Sequence, residues 1–192
     1  MRFSRRAGGV VAKLDRVEAG VLSSAVSDLL VLLADDEPEQ DTAQEQDAGQ
    51  DPLAALVGMP TGDPEAPEDP ALARLLPQAY GDDDPAANRE FRRFTEADLR
   101  AGKRVTASVV LASLAPYLER GGKVPLDRAQ ADAWLMCLND LRLVLGTRLE
   151  VTENTDLDVP EDDPRAQPLL VYGWLGWVQE SLLACLEPRS LA

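Results

Sequence analysis

The sequence of 192 residues contains no histidine. This absence excludes imidazole acid–base catalysis and every metal site that uses a histidine ligand. The chain also lacks a phosphate-binding P-loop, a dinucleotide glycine fingerprint and a Gly-x-Ser-x-Gly nucleophile elbow. We therefore expect no catalytic residue, no metal and no cofactor, and we interpret the chain as a non-enzyme that binds another macromolecule. An enzyme that uses carboxylates alone is the alternative.

Cysteine and long apolar runs are also scarce. Two cysteines, Cys137 and Cys185, are too few for a disulfide framework in a chain of this length. No uninterrupted apolar run approaches the roughly 20 residues that cross a bilayer. The residues that follow Arg2, Arg5 and Arg6 do not form the apolar core of a signal peptide. We expect a cytoplasmic protein without a membrane segment.

Acidic charge is concentrated in one segment of the chain. Residues 35–84 hold fifteen Asp or Glu against one Arg and carry −14 of the net charge of −15. The remainder is nearly neutral, so the net charge does not exclude an anionic partner. Residues 35–51 have no aliphatic side chain larger than Ala, and they cannot bury enough apolar surface to offset chain entropy. We expect a single helical domain over 1–192 with a disordered acidic insertion at about 35–69.

Apolar residues recur at helical spacing in four long stretches of the remaining sequence. The spacing predicts long helices over 15–34, 95–119, 127–149 and 168–187, with a short helix over 85–93 and a capping box that starts a new helix at Thr95. The pair Gly8-Gly9 favours a small hairpin within residues 2–14. The predicted fold class is mostly α: a helical bundle of four long helices plus short helices, with a small N-terminal β-hairpin.

One basic stretch is a candidate contact surface for phosphates or for an acidic protein. Spacings of three and four residues place several of its members on one helical face. The alternative is a solvated face with internal salt bridges, each of which adds little stability. The stretch comprises Arg89, Arg92, Arg93, Arg100, Lys103 and Arg104.

The two cysteines are a candidate redox pair. A disulfide between Cys137 and Cys185 requires Cα atoms within roughly 7 Å and an exposed, acidified thiol. Both lie among apolar residues, and burial in the core is the alternative. Asp140 is expected to raise the pKa of a neighbouring thiol rather than lower it.

Polar residues within the predicted helices form a third candidate, either a structural network or a recognition patch. They are Asn139, Asp140, Arg142, Arg148, Gln179 and Glu180. Trp174 and Trp177 lie three residues apart in the last helix, where close helix packing is expected. An exposed Trp177 would instead indicate a partner site.

Four motifs resemble a known family. They are Asp69-Pro70-Ala71-Leu72, Glu90-Phe91-Arg92-Arg93, the block Leu138–Leu149 after Trp134-Leu135, and Trp174–Leu182. Together they resemble an actinobacterial domain-of-unknown-function family of AosR-type oxidative-stress transcriptional regulators. The part from Asn139 to Leu149 is the most specific.

The resemblance implies an α-helical, redox-responsive regulator that acts with RNA polymerase and a sigma factor on cysteine-metabolism and stress genes. Direct DNA binding is one alternative. Genes of the family often lie beside one for a proteolytic adaptor, so an interaction protein linked to regulated proteolysis is another. The chain has no closely spaced cysteine pair that could form a local disulfide.

Overall fold

The computed structural model describes residues 1–34, 66–80, 84–160 and 162–187. Within these ranges the chain forms five α-helices and a three-stranded sheet. The elements are β1 (Arg2–Arg6), β2 (Gly9–Leu14), α1 (Arg16–Leu32), α2 (Pro70–Leu75), α3 (Pro85–Leu114), β3 (Gly122–Asp127), α4 (Arg128–Arg148) and α5 (Ala166–Leu186). The mostly α fold class is confirmed, with α1, α3, α4 and α5 as the four long helices. Most of the predicted acidic insertion, 35–65, lies outside the described residues.

The N-terminal sheet has the strand order β1-β2-β3 and is antiparallel throughout. Its first two strands are the predicted hairpin, with Gly8 in the turn at a φ of 78°, which glycine adopts without strain. Gly9 lies against β3, where a Cβ would come within 2.1 Å of the Leu126 carbonyl oxygen. The sequence does not predict β3, because Pro125 interrupts its short alternation of buried residues. The proline is tolerated because β3 is an edge strand.

Helix α3 is continuous, so the predicted break at Thr95 is wrong. The Thr95 hydroxyl does not cap a helix start but donates a 2.8 Å hydrogen bond to the Phe91 carbonyl oxygen, one turn back. Helix α3 packs along both α1 and α4, and this packing outweighs a local capping signal. The helix ends at Leu114, and a short 3-10 turn that contains Pro116 follows it.

Helix α4 is the centre of the core and packs against α2, α3 and α5 as well as the sheet. Its start is fixed by the predicted cap: the Asp127 carboxylate accepts from the Gln130 N–H. Trp134 is fully buried, its ring edge meets Phe3 of β1 with centroids 6.1 Å apart, and its indole N–H donates to Ser113 Oγ at 2.8 Å. One side chain thus joins the sheet, α3 and α4.

Some residues of the predicted apolar stripes lie on the surface instead of in the core. Val17, Leu99, Val105 and Leu170 are between 40% and 72% exposed. A helix buries only part of its apolar stripe, because its neighbours cover a limited arc of its circumference. These residues therefore do not contribute to the core.

Helix α4 ends in a Schellman motif with an unusual residue at the left-handed position. The Glu150 N–H donates to the Thr147 carbonyl oxygen, the Val151 N–H donates to the Gly146 carbonyl oxygen, and Glu150 has a φ of 53°. Glycine is usual there because a Cβ strains this conformation.

Replacing Glu150 with glycine should increase the free energy of unfolding by about 1 kcal/mol, because the left-handed strain disappears. Urea denaturation followed by circular dichroism measures the change. The matched control is Glu150→Ala, which removes the same carboxylate and keeps the Cβ, so no comparable gain is expected. Equal stability of the glycine and alanine variants would contradict the assignment of strain.

Candidate functional site

Several basic residues of the stretch on α3 form ion pairs with acidic side chains of the same chain. Glu96 accepts from Arg92 at 3.1 Å and from Arg100 at 2.6 Å, both at a spacing of four residues. Arg92 is buried. Arg93 lies over the Phe94 ring at 5.9 Å, and its buried Nε has no hydrogen-bond partner in the part of the chain that the structure describes. A continuous row of solvent-facing cations is therefore not formed.

The remaining two members of the stretch that face solvent are Arg89 and Arg104. They lie fifteen residues apart on α3. At a rise of about 1.5 Å per residue, that separation is roughly 22 Å along the helix. Two charges so far apart are separated by more than a Debye length at physiological salt, so they do not form one continuous positive surface.

Lys103 forms an ion pair across two helices. Its Nζ donates to Asp140 Oδ1 of α4 at 2.7 Å, and the side chain of Asp140 is 5% exposed. Burial raises the pKa of Asp140 above its ordinary value, and the hydrogen bond and charge of Lys103 oppose that rise. The pair joins α3 to α4 and neutralises two charges within the fold.

The Lys103–Asp140 pair lies in the wall of a groove of about 650 Å³ bounded by α3, α4 and α5. Asn139 and Gln179 also line it, so the groove brings together four of the polar residues that the sequence analysis singled out. Leu99 and Met136 line the same groove, and they are 40% and 59% exposed. The result is an apolar rim around a small number of polar groups.

Met136 was not predicted as a groove residue, and Leu99 was predicted to lie in the core. A signal for Met136 does exist in the helical pattern. Met136 is two residues from the buried Trp134, and about 200° of rotation at 3.6 residues per turn puts it on the opposite side of α4. This position predicts that the Met136 side chain lies on the surface of α4 and not in the core.

The other predicted polar residues tie elements together or lie outside the groove. Arg142 donates to Gln179 Oε1 at 2.6 Å and lies 5.5 Å from the centre of the Tyr172 ring. Arg148 donates to Asp69 Oδ2 at 2.5 Å, which fastens α2 to the end of α4. Glu180 is exposed and does not line the groove.

Asp69 itself has a shifted pKa. Burial acts to raise it, but hydrogen bonds from the N–H groups of Leu72 and Ala71 and from Arg148 outweigh that effect and hold the pKa of Asp69 below its ordinary value. The carboxylate therefore stays charged in its two roles, as the cap of α2 and as the partner of Arg148.

Both cysteines are free thiols. Burial, with a smaller contribution from the charge of Asp140, raises the pKa of Cys137 to about 12. A thiol with that pKa is not a nucleophile at neutral pH. Cys185 is partly buried and packs against the same core. The redox pair remains a prediction.

The two cysteines lie on neighbouring helices, α4 and α5. Helices α4 and α5 run antiparallel, and the bond between Arg142 and Gln179 marks one level. Cys137 precedes Arg142 by five residues and Cys185 follows Gln179 by six. Both cysteines therefore lie on the same side of that bond along the paired helices.

Helix α5 is unusually apolar. Among the helices that the structure describes, it is the one whose length and composition would allow it to cross a membrane, with a mean hydropathy of 1.3. Core helices pass the same test, and α5 is fastened to the fold by Arg5, which donates to the carbonyl oxygens of Ala184 at 2.7 Å and Glu187 at 2.6 Å. Trp174 packs against the core, whereas Trp177 is 50% exposed.

Within the described ranges, no group of three or more cysteine, aspartate or glutamate side chains is arranged to hold a metal ion. The groove of α3, α4 and α5 combines exposed apolar surface with the polar residues Lys103, Asn139, Asp140 and Gln179.

Comparison with known proteins places nearly the whole chain in one family. Residues 1–186 match the family described as "Domain of unknown function (DUF2017)". The chain belongs to the DUF2017 family. The block 139–149, which contributed most to the resemblance, supplies Asn139 and Asp140 to the groove.

Relatives of this DUF2017 chain include proteins named oxidative stress regulator AosR. The protein of that name from Mycobacterium tuberculosis (strain ATCC 25618 / H37Rv) is 33% identical over 181 residues, which is 88% of this chain and 78% of the relative. The protein of the same name from Mycobacterium bovis has the same identity and coverage. No solved structure matches the chain significantly.

Proposed function

We propose that the chain is a non-enzymatic, cytoplasmic transcriptional regulator of an oxidative-stress response that acts by binding RNA polymerase or a sigma factor. The observation that carries the proposal is the groove of α3, α4 and α5, whose rim exposes Leu99 and Met136. The names of the AosR relatives support the regulatory role. The groove supports the proposal that the chain regulates by contact with another protein.

An apolar groove fits a protein partner because burial of apolar surface drives most protein association. Long, flexible methionine side chains adapt to a partner surface, and 59% of Met136 is exposed. Asn139 and Gln179 can orient a partner by hydrogen bonding without the desolvation cost of a buried charge. The charged groups of the groove wall, Lys103 and Asp140, already neutralise each other.

The charge pattern favours protein contact over direct DNA binding. Binding to DNA needs several cations on one face to replace condensed counterions. Here Arg92, Arg100 and Lys103 are in internal ion pairs. If the chain contacted phosphates directly, its affinity for duplex DNA would fall steeply as salt rises, and measuring that slope separates the two mechanisms.

The redox part of the proposal rests on Cys137 and Cys185. The less buried thiol, Cys185, is the one that an oxidant in solution reaches first. Because burial holds the Cys137 thiol neutral, a disulfide between the two needs local opening of α5 from α4. Peroxide treatment followed by mass spectrometry under non-reducing conditions tests this. A pair of peptides linked by a disulfide between Cys137 and Cys185 supports the redox role. Two separate peptides, each with its cysteine alkylated as a free thiol, contradict it.

The test of protein docking compares one groove variant with one matched surface variant. Met136→Lys should weaken binding of the full chain to RNA polymerase or to its sigma factor by about tenfold or more, because a charge replaces an apolar anchor. The control is Val31→Lys on α1, where a residue that is 75% exposed lies outside the groove. Biolayer interferometry with each purified partner measures the affinities.

The two affinities distinguish docking in the groove from docking elsewhere on the surface. A selective loss in the Met136→Lys variant supports the groove as the docking surface. Equal affinities for the two variants would contradict it, and no binding of the unmodified chain to any of these partners would overturn the proposed function itself. Unfolding curves of both variants establish that each remains folded.

A further inference from the structure

A second cavity, of about 440 Å³, lies at the opposite end of α4 from its capped start. It is bounded by the last turn of α2, the last turn of α4, the residues just after α4, and the first half of α5. We propose that this cavity binds a small zwitterion of the α-amino acid class. The proposal is independent of the docking groove and of the proposed function.

Two arginines line the cavity and can hold the carboxylate of such a ligand. Arg74 is exposed in the last turn of α2, and no described residue forms an ion pair or hydrogen bond with its side chain. Arg142 enters from α4, where Nη1 donates to Gln179 and the guanidinium lies over the Tyr172 ring. A guanidinium presents paired N–H donors that match a carboxylate, and two guanidiniums at one cavity create a local positive potential.

The opposite charge in the same cavity comes from Glu150. This residue holds its left-handed conformation at a position where glycine would be unstrained. Strained backbone of this kind concentrates at functional sites. Among the described residues, no cation pairs with the Glu150 carboxylate, although two arginines line the same cavity.

The combination of charges selects the class of ligand. A simple anion would be attracted by Arg74 and Arg142 but repelled by Glu150. A simple cation would be attracted by Glu150 but repelled by the two arginines. A ligand with a carboxylate at one end and an ammonium at the other satisfies both. The hydroxyls of Thr147 and Thr152 line the cavity and offer further hydrogen bonds.

An apolar wall completes the cavity. Tyr172 packs its ring on the backbone of Gly146, where a Cβ would come 3.2 Å from Tyr172 Cε2. The glycine therefore allows the ring to lie against α4. Leu143 and Val151 line the same side. A cavity of this volume is within the usual range for small-molecule sites, and its apolar wall suits the side chain of an amino acid.

The first experiment titrates the full chain with each standard L-amino acid singly and follows the backbone amide resonances of Gly146, Glu150 and Val151 by NMR. At least one amino acid should bind and shift these resonances selectively. The tightest binder is then compared with its deaminated acid and its decarboxylated amine. Each analogue should bind about tenfold more weakly, because each loses one charged contact.

Variants locate the binding within the cavity. Arg74→Gln and Glu150→Gln should each weaken binding of that amino acid about tenfold, while Arg16→Gln, an exposed arginine on α1, should leave it unchanged. Glu150→Gln keeps a side chain of similar size on the same backbone, so its stability should stay close to that of the unmodified chain. Unfolding curves of all three variants accompany the titrations.

Three results would overturn the proposal. They are no binding by any standard amino acid, equal binding of the deaminated acid, which would indicate a plain anion site, and unchanged affinity in both the Arg74→Gln and the Glu150→Gln variants. Failure of the docking experiment with RNA polymerase or sigma factor would leave all three readouts unaffected.

Discussion

Replacing Trp134 with alanine should lower the free energy of unfolding by about 3–5 kcal/mol, the largest single effect that we expect for an apolar position. Trp134 is fully buried, contacts Phe3 of the sheet edge-on and donates to Ser113 of α3. Alanine would leave a cavity where the sheet, α3 and α4 meet. It would also leave the Ser113 hydroxyl without this donor. Urea denaturation monitored by circular dichroism measures the loss.

Two matched variants show whether burial is the cause. Trp177→Ala removes the same side chain from a position that is 50% exposed and should cost less than about 1 kcal/mol. Trp134→Phe keeps most of the buried ring but loses the indole N–H, and it should cost about 1–3 kcal/mol. Equal losses for Trp134→Ala and Trp177→Ala would contradict the assignment of Trp134 to the centre of the core.

The second large effect concerns the ion pair between Lys103 and Asp140. Lys103→Met should destabilise the fold by about 2–4 kcal/mol at neutral pH, because it leaves the buried Asp140 carboxylate without its countercharge. The double variant Lys103→Met/Asp140→Leu removes both charges and should recover most of that loss. Denaturation curves of both single variants and the double variant give the coupling energy.

The dependence on pH has a definite sign. Because burial raises the pKa of Asp140, the folded chain takes up a proton more readily than the unfolded chain. This group therefore contributes most stability below its unfolded pKa and loses that contribution as the pH rises through the folded pKa. Without Lys103 the pKa should rise further, so the cost of Lys103→Met should shrink toward acidic pH. A cost that is constant across pH would show that Asp140 is not a buried charge.

The helices were predictable from sequence because their apolar residues recur every three or four positions. This spacing places them on one helical face, which packs against the core. The predicted caps at Asp15 and Asp127 are confirmed, since each satisfies N–H groups within its own first turn. The predicted break at Thr95 was wrong, because a capping box is a local signal and α3 continues through Thr95 where it packs against its neighbours. The third strand was missed because it contains Pro125 and gains its partners only from the hairpin.

The groove was predictable only in part. The sequence singled out Lys103, Asn139, Asp140 and Gln179, but it could not join them, because their proximity depends on how far each of three helices is rotated about its axis. Leu99 was expected in the core because it belongs to the apolar face of its helix. Helical periodicity identifies that face, but it does not show how much of the face the neighbouring helices cover.

The small cavity could not have been predicted in this way. Arg74 and Glu150 are more than seventy residues apart in the sequence, and they come together because α2 packs on the end of α4. The bond between Arg148 and Asp69 fastens these two elements. Contacts between residues so far apart in the sequence depend on tertiary packing. No local sequence pattern indicates them.

The central claim is that the chain acts through the groove of α3, α4 and α5. Its most direct test is a photo-crosslinking amino acid placed at position 136 in one preparation and at position 31 in another, each irradiated with RNA polymerase holoenzyme. We expect a covalent adduct with polymerase or sigma factor from position 136 and none from position 31. Adducts from position 31 alone, or from neither position, would contradict the claim.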